Sequence, residues 1–181
     1  TLTYFLLFFC LTFFAINYLI KFNVFKSIEK HNLKENLINH TLSQPLMLVE
    51  SFSGIRGIYK KDLNEDITRK YAYAYSQTLK KDPKVVIGTD TRASAEPLKQ
   101  AIFDIFKNII DLEVATTPMT ELAVREYKAD GGIIITASHN EPEWNGFKFL
   151  DSDGAVLDPK KASEVIKNFH KIKDLKEEEF L

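Results

Sequence analysis

From residue 47 onward, short apolar runs alternate with stretches in which apolar residues recur every three or four positions. That is the pattern of strands and amphipathic helices in turn. Ile67, Tyr71, Ala74, Tyr75 and Leu79 share one face of a helix predicted over 65–81, with Asn64 as its N-cap. After a turn at Asp82-Pro83, Val85-Val86-Ile87-Gly88 is apolar without alternation, as a strand covered on both faces requires. Ser94 reads as the N-cap of a second helix, striped by Leu98, Ile102, Ile105 and Phe106, with Pro97 in its first turn. A strand is expected over 112–116 and a short helix over 120–128, with 116–119 as a plain turn. Gly131-Gly132 leads into the apolar strand Ile133-Ile134-Ile135, which ends on Thr136-Ala137-Ser138-His139-Asn140. Residues 146–150 and 155–157 pattern as a strand pair about Asp153-Gly154. Asp158-Pro159 then sets an N-cap and a first-turn proline for a last charged helix, with Glu177-Glu178-Glu179 on a solvated face.

This alternation predicts a three-layer α/β/α sandwich around a mostly parallel mixed sheet. Sites in such sheets lie outside the carboxyl ends of the strands, which directs attention to residues 88–94, 116–120 and 136–148.

Composition divides the chain. Residues 1–46 contain no Gly, Asp or Arg, yet hold seven of the 14 Phe. Thr1 to Ile20 carries no charge, and Lys21, Lys26, Lys30 and Lys34 follow. About 20 apolar residues suffice for a transmembrane helix, and the lysines would then hold the rest of the chain on the cytoplasmic side. The competing reading is translated AT-rich upstream sequence, with Met47 as the start of a single domain over 47–181. The whole chain balances 24 Lys+Arg against 25 Asp+Glu, which argues against a nucleic-acid partner. A single cysteine, Cys10, excludes an internal disulfide and fits a reducing compartment.

The candidate chemistry centres on Ser138. A serine on a turn after a buried strand is exposed and flanked by backbone amides, which suits a hydroxyl that accepts and returns a phosphoryl group. Lys148, ten residues on, can return to it through a hairpin, and Arg56, on the glycine-flanked turn Ser53-Gly54-Ile55-Arg56-Gly57, offers a planar fork for phosphate. The same residues have plainer readings. Ser138 and Asn140 would make turn hydrogen bonds, and His139 would face solvent with its side chain diverging from Ser138. Lys148 would be a solvated edge charge, and Asp90 with Arg92 a surface ion pair worth little.

Four segments bear on that choice: Ser53-Gly54-Ile55-Arg56-Gly57, Gly88-Thr89-Asp90-Thr91-Arg92, Thr136-Ala137-Ser138-His139-Asn140 and Asn145-Gly146-Phe147-Lys148. In this order they resemble the first domain of the α-D-phosphohexomutases, the phosphomannomutase/phosphoglucomutase superfamily, over about residues 48–181. The resemblance implies an isomerase in which Ser138 carries a phosphoryl group, passes it to a hexose monophosphate and recovers one from the bisphosphate. It implies a catalytic set of Ser138, His139, Lys148 and Arg56, substrate contacts from Ser53, Asn140 and Asn145, and loop support from Asp90 and Arg92. It also implies Mg²⁺ bound partly through the phosphate on Ser138, a hexose bisphosphate activator, a hexose phosphate substrate and a cytoplasmic location.

The sequence departs from the pattern at Phe52, Thr89 and Glu141, where the family usually has Thr, Arg and Pro. Family members have four domains, and the metal-binding, sugar-selecting and phosphate-binding loops of the other three find no match here. Two readings follow. The chain is the amino-terminal portion of a mutase, inactive alone, or it is a membrane-tethered, non-catalytic domain that binds sugar phosphates or a partner. The hexose and the oligomeric state leave no trace in the sequence.

Overall fold

The structure is a computed structural model and describes residues 48–174. The expectations for residues 1–46 and for Glu177–Glu179 fall outside the described residues. Among the described residues, no helix is long and apolar enough to cross a membrane.

Six strands, β1 (Val49–Ser51), β2 (Gly54–Ile58), β3 (Lys84–Thr89), β4 (Asn108–Val114), β5 (Gly131–Ile135) and β6 (Trp144–Leu150), form one sheet in the order β1-β2-β6-β5-β3-β4. Four helices accompany them: α1 (Glu65–Ser76), α2 (Ala95–Phe103), α3 (Thr117–Glu126) and α4 (Pro159–Lys171). The three-layer α/β class is as expected, and the balance within the mixed sheet is refined. The β3–β4 and β3–β5 pairs are parallel, while β1–β2, β2–β6 and β5–β6 are antiparallel.

Strand alternation sorts the core into two layers. Val85, Ile87, Ile133, Ile135, Phe147 and Phe149 face α1, α2 and α4, while Val86, Ile134 and Leu150 face Ala123 and Val124 of α3. The larger layer is rich in aromatics. Tyr71 stacks on Phe169 at 3.8 Å between ring centroids, and Tyr75 stacks on Phe149 at 4.7 Å. The Tyr75 hydroxyl is buried, donates to Leu150 O at 2.5 Å and accepts from Gly132 N at 3.1 Å, so one phenol ties β5 to β6 through the core. Burial pushes its ionisation well up.

Local signals set the helix starts. Asn64 Oδ1 accepts from Ile67 N at 2.9 Å, and Asp158 Oδ1 accepts from Lys160 N and Lys161 N at 2.8 and 2.9 Å. Several predicted bounds move. The first helix ends at Ser76, because Ser76 and Thr78 hydroxyls bond back to Tyr73 O and Tyr75 O and close the last turn, although Leu79 continues the apolar spacing. The fourth strand begins at Asn108, and residues 116–119 start a helix instead of forming a plain turn. Thr116 caps α3 through a bond from Met119 N, and Pro118 occupies its first turn. Residues 155–157 form only a bridge, Val156 to Leu150.

Two measurements test this packing. Tyr75→Phe removes both bonds of the buried hydroxyl, so urea unfolding should show a loss of about 1–3 kcal/mol; a loss under ~0.5 kcal/mol would contradict the bridge. Asp151 pairs with Lys161 at the start of α4, and the hydrogen bond from that ammonium holds its carboxyl below the ordinary value. A depressed folded pKa contributes stability above the unfolded pKa of about 4, and that stability is lost as pH falls through the folded value. Asp151→Asn should therefore lose less stability than the native chain between about pH 6 and about pH 3. Parallel losses in the two urea series would contradict it.

Candidate active site

The site is built at the end of β5. That strand is buried along its length, so the chain must leave it into solvent, and Thr136 is the last residue tied to β6, with its N–H on Gly146 O at 3.0 Å. Ser138 follows at φ +59°, in the left-handed region that β-carbon-bearing residues rarely enter. Its N–H donates to Thr136 Oγ1 at 2.9 Å, and Asn140 N donates to Ala137 O at 3.2 Å. This reversal exposes Ser138 and His139 together and brings His139 Nδ1 within 3.4 Å of Ser138 Oγ. The neighbouring side chains converge, contrary to the plain expectation, because a left-handed residue cancels the alternation of an extended chain.

The loop is held from outside by Arg92. Its Nη2 donates to Ser138 O at 3.0 Å and to Asn140 O at 2.8 Å, and Nη1 lies 3.4 Å from Glu141 O. Asp90 steadies the arginine: its Oδ2 lies 3.1 Å from Arg92 Nε, at ion-pair distance without hydrogen-bond alignment, and its Oδ1 accepts from Arg92 N at 3.1 Å. Asp90 N in turn donates to Ile135 O at 3.1 Å. With the Arg92 side chain 12% exposed, this is no surface ion pair. Asp90 and Arg92 thus link the loop after β3 to the Ser138 turn.

Arg56 and Lys148 come from β2 and β6. Alternation from the core residues Ile55, Phe147 and Phe149 turns both away from the larger core layer, onto the face where α3 packs over β3 and β5. Arg56 pairs with Gly146, and Lys148 runs beside Gly54, whose added Cβ would lie 3.3 Å from Lys148 Cγ. Each cation thus has a glycine as its cross-strand neighbour on one side, with Val49 beside Arg56 and Ile134 beside Lys148 on the other. Gly54 has φ +137°, and a Cβ on Gly146 would lie 2.0 Å from Ile55 O, so neither position admits a side chain. Among the described residues, neither Arg56 nor Lys148 has a hydrogen-bond or ion-pair partner, whereas Arg69, Arg92 and Arg125 all do. Two half-buried, uncompensated cations are an anion-receiving arrangement.

The substrate candidates separate. Ser53 lies on the β1–β2 turn beyond Gly54, bonded through its hydroxyl to Ser51 Oγ at 3.0 Å, and the strand register sets it on the far side of Lys148 from Ser138. Asn140 holds the loop through its backbone, and its Oδ1 is buried without a partner among the described residues. Asn145 departs from the expected substrate contact. It is fully buried, its Nδ2 donates to Ser94 Oγ at 2.8 Å and its Oδ1 accepts from Gly146 N at 2.8 Å, so it presents nothing to a ligand. Ser94, expected as a capping side chain, makes no capping bond; its hydroxyl serves Asn145 instead. No sequence rule separates a serine that caps a helix from one that accepts from a distant amide.

Among the described residues, no three or more His, Cys, Asp or Glu side chains gather as a metal site. These residues do not fit Mg²⁺ by themselves.

A family model for phosphoglucomutase/phosphomannomutase, alpha/beta/alpha domain I, matches residues 50–176. The chain is 38% identical over 135 residues to a phosphoglucomutase/phosphomannomutase of Thermococcus kodakarensis, covering 66% of this chain and 29% of that protein. It is 40% identical over 119 residues to a protein of Pyrococcus horikoshii described as a probable phosphoglucosamine mutase, covering 64% and 26%. A crystal structure from Thermus thermophilus described as a phosphomannomutase superposes with a TM-score of 0.65 at 26% identity, over 72% of this chain and 31% of that one. A Paramecium phosphoglucomutase, parafusin, shares the fold at a TM-score of 0.62 and 21% identity, over 68% and 25%. The chain spans under a third of the length of these relatives.

The close approach at Gly146 is directly testable. Gly146→Ala should force β2 from β6 and lower stability in urea by about 3 kcal/mol, the upper end for overpacking. A change within ~0.5 kcal/mol would contradict the glycine-floored geometry.

Proposed function

The chain belongs to the phosphoglucomutase/phosphomannomutase family, and from that premise we propose that it is the domain that carries and transfers the phosphoryl group in a hexose-phosphate mutase. The observation that carries the proposal is the pair of unpartnered cations, Arg56 and Lys148, beside the strand ends from which the exposed Ser138 turn departs.

In the reaction proposed, phosphorylated Ser138 meets a hexose monophosphate. A free sugar hydroxyl oxygen attacks phosphorus, the bond from phosphorus to Ser138 Oγ breaks, and a hexose bisphosphate forms. The hydroxyl loses its proton as the bond forms, and Ser138 Oγ takes one up as it leaves. The bisphosphate then turns over and returns its other phosphoryl group to Ser138, so two opposite transfers amount to an isomerisation. Such transfers need chiefly positioning and charge compensation. Arg56 supplies a planar fork and Lys148 a point charge toward the phosphoryl oxygens. His139 Nδ1, 3.4 Å from Ser138 Oγ, lies where a proton can be held during transfer. Arg92 fixes the Ser138 and Asn140 carbonyls, so the nucleophile does not have to be ordered at each turnover.

Mg²⁺, when bound to the phosphoserine, would neutralise phosphoryl charge; the other ligands would come from outside the described residues. Loading of Ser138 is assigned to a hexose bisphosphate activator, and the substrate to the hexose 1-phosphate and 6-phosphate class. The remaining length seen in the relatives would hold the sugar-selecting and metal-binding parts.

In the full-length protein, Ser138→Ala should abolish labelling from a radioactive hexose bisphosphate while leaving the circular dichroism spectrum unchanged. Lys148→Ala should slow transfer by about 10²–10³-fold, as for loss of one preorganised charge. Retained labelling of Ser138→Ala, or an unaltered rate for Lys148→Ala, would overturn the assignment.

A further inference from the structure

We propose that Asn145 and Ser94 are positioning residues for Ser138: their buried hydrogen bond bolts the loop that carries Arg92 to the start of β6. The inference rests on Ser138 being the phosphoryl carrier and concerns what holds it.

The geometry is a two-point clamp. The loop from β3 to α2 carries Asp90, Arg92 and Ser94, and the loop from β5 to β6 carries Ser138. At one point, Arg92 Nη2 grips the carbonyls of Ser138 and Asn140 at 3.0 and 2.8 Å. At the other, Asn145 Nδ2 donates to Ser94 Oγ at 2.8 Å, two residues from Arg92 along one chain and at the end of the Ser138 loop along the other. A tight turn, Ala95 N to Arg92 O at 2.9 Å, joins the two points rigidly. Asn145 is itself fixed by Gly146 N on its Oδ1, and Gly146 O receives Thr136 N, the last anchor before Ser138. The loop is thus closed on itself at Gly146 and tied at Ser138, Asn140 and Asn145 to residues 92–94.

Two features favour positioning over mere stability. Ser94 stands at the N-cap of α2 and gives up the capping bond that a serine there ordinarily makes, an interaction forgone in favour of Asn145. Ser138, at φ +59°, holds a left-handed conformation, as Lys60, Asp82, Glu113 and Lys128 also do, but at Ser138 the carbonyl is gripped by the Arg92 guanidinium. Release of the bolt would let the Arg92 segment drift from the loop and free Ser138 to leave the left-handed region. A displacement of about 1 Å at a reacting group can cost 10²-fold in rate.

The test compares Ser94→Ala, Asn145→Ala and Arg92→Ala in the full-length protein, with Ser138→Ala alongside. Ser94→Ala is nearly isosteric and preserves the fold if Asn145→Ala does not. Expected for Ser94→Ala are a kcat lowered about 10–100-fold, a KM within about twofold, and faster amide exchange at Asn140 with the strands unchanged. The double variant Ser94→Ala/Arg92→Ala should lose little more than the worse single change, because the two act as a unit. An unchanged kcat with a lowered Tm would make the pair a structural pin only and overturn the inference, as would losses that multiply. A raised KM at constant kcat would return Asn145 to substrate contact, against the proposal. Turnover retained in Ser138→Ala would instead overturn the reading of the site itself.

Discussion

One guanidinium nitrogen, Arg92 Nη2, donates to the carbonyls of both Ser138 and Asn140, and the shape of the reactive loop depends on that shared donor. A turn containing a left-handed serine would relax on its own, at a gain of about 1–3 kcal/mol. Two carbonyls pinned to one nitrogen leave it little room. The nitrogen stays in place because Asp90 holds the arginine and Asp90 N is fastened to β5 itself, at Ile135 O. The loop is therefore referenced to the strand that delivers it.

Electrostatics divides the charged residues into two groups. Arg69, Arg92, Arg125, Lys99 and Lys161 are spent on carboxylates or carbonyls within the fold. Arg56 and Lys148 have no partner among the described residues, although both are half-buried. Partly burying a cation without a counter-charge is unfavourable. A bound anion would remove that penalty, which is the physical reason the pair is read as anion-receiving.

Much of this is legible in the sequence, and the exceptions have physical causes. Asn64 and Asp158-Pro159 announce their helices because a cap is a local interaction, complete within four residues. Ile133-Ile134-Ile135 announces a strand covered on both faces because an unalternating apolar run has few other homes. Periodicity misses the end of α1 because Leu79 keeps the apolar spacing while the hydroxyls of Ser76 and Thr78 close the turn. β4 starts early because it lies at the sheet edge, where Asn108 and Asp111 are exposed and the apolar pattern is diluted. The balance of parallel and antiparallel pairing depends on how far apart in sequence the partners lie, as with β2 and β6, and periodicity carries no such information. In the site, Ser138, Arg56, Lys148 and the Asp90–Arg92 pair stand out in short motifs. The burial of Asn145 does not, because its partner Ser94 lies 51 residues away.

Peptide mass spectrometry on the protein isolated from its source would show whether Ser138 carries the phosphoryl group. One phosphoryl group is expected on the peptide that contains Ser138, removed on incubation with hexose monophosphate as hexose bisphosphate appears. Phosphate on another residue, or a Ser138 phosphate that persists unchanged in the presence of hexose monophosphate, would contradict it.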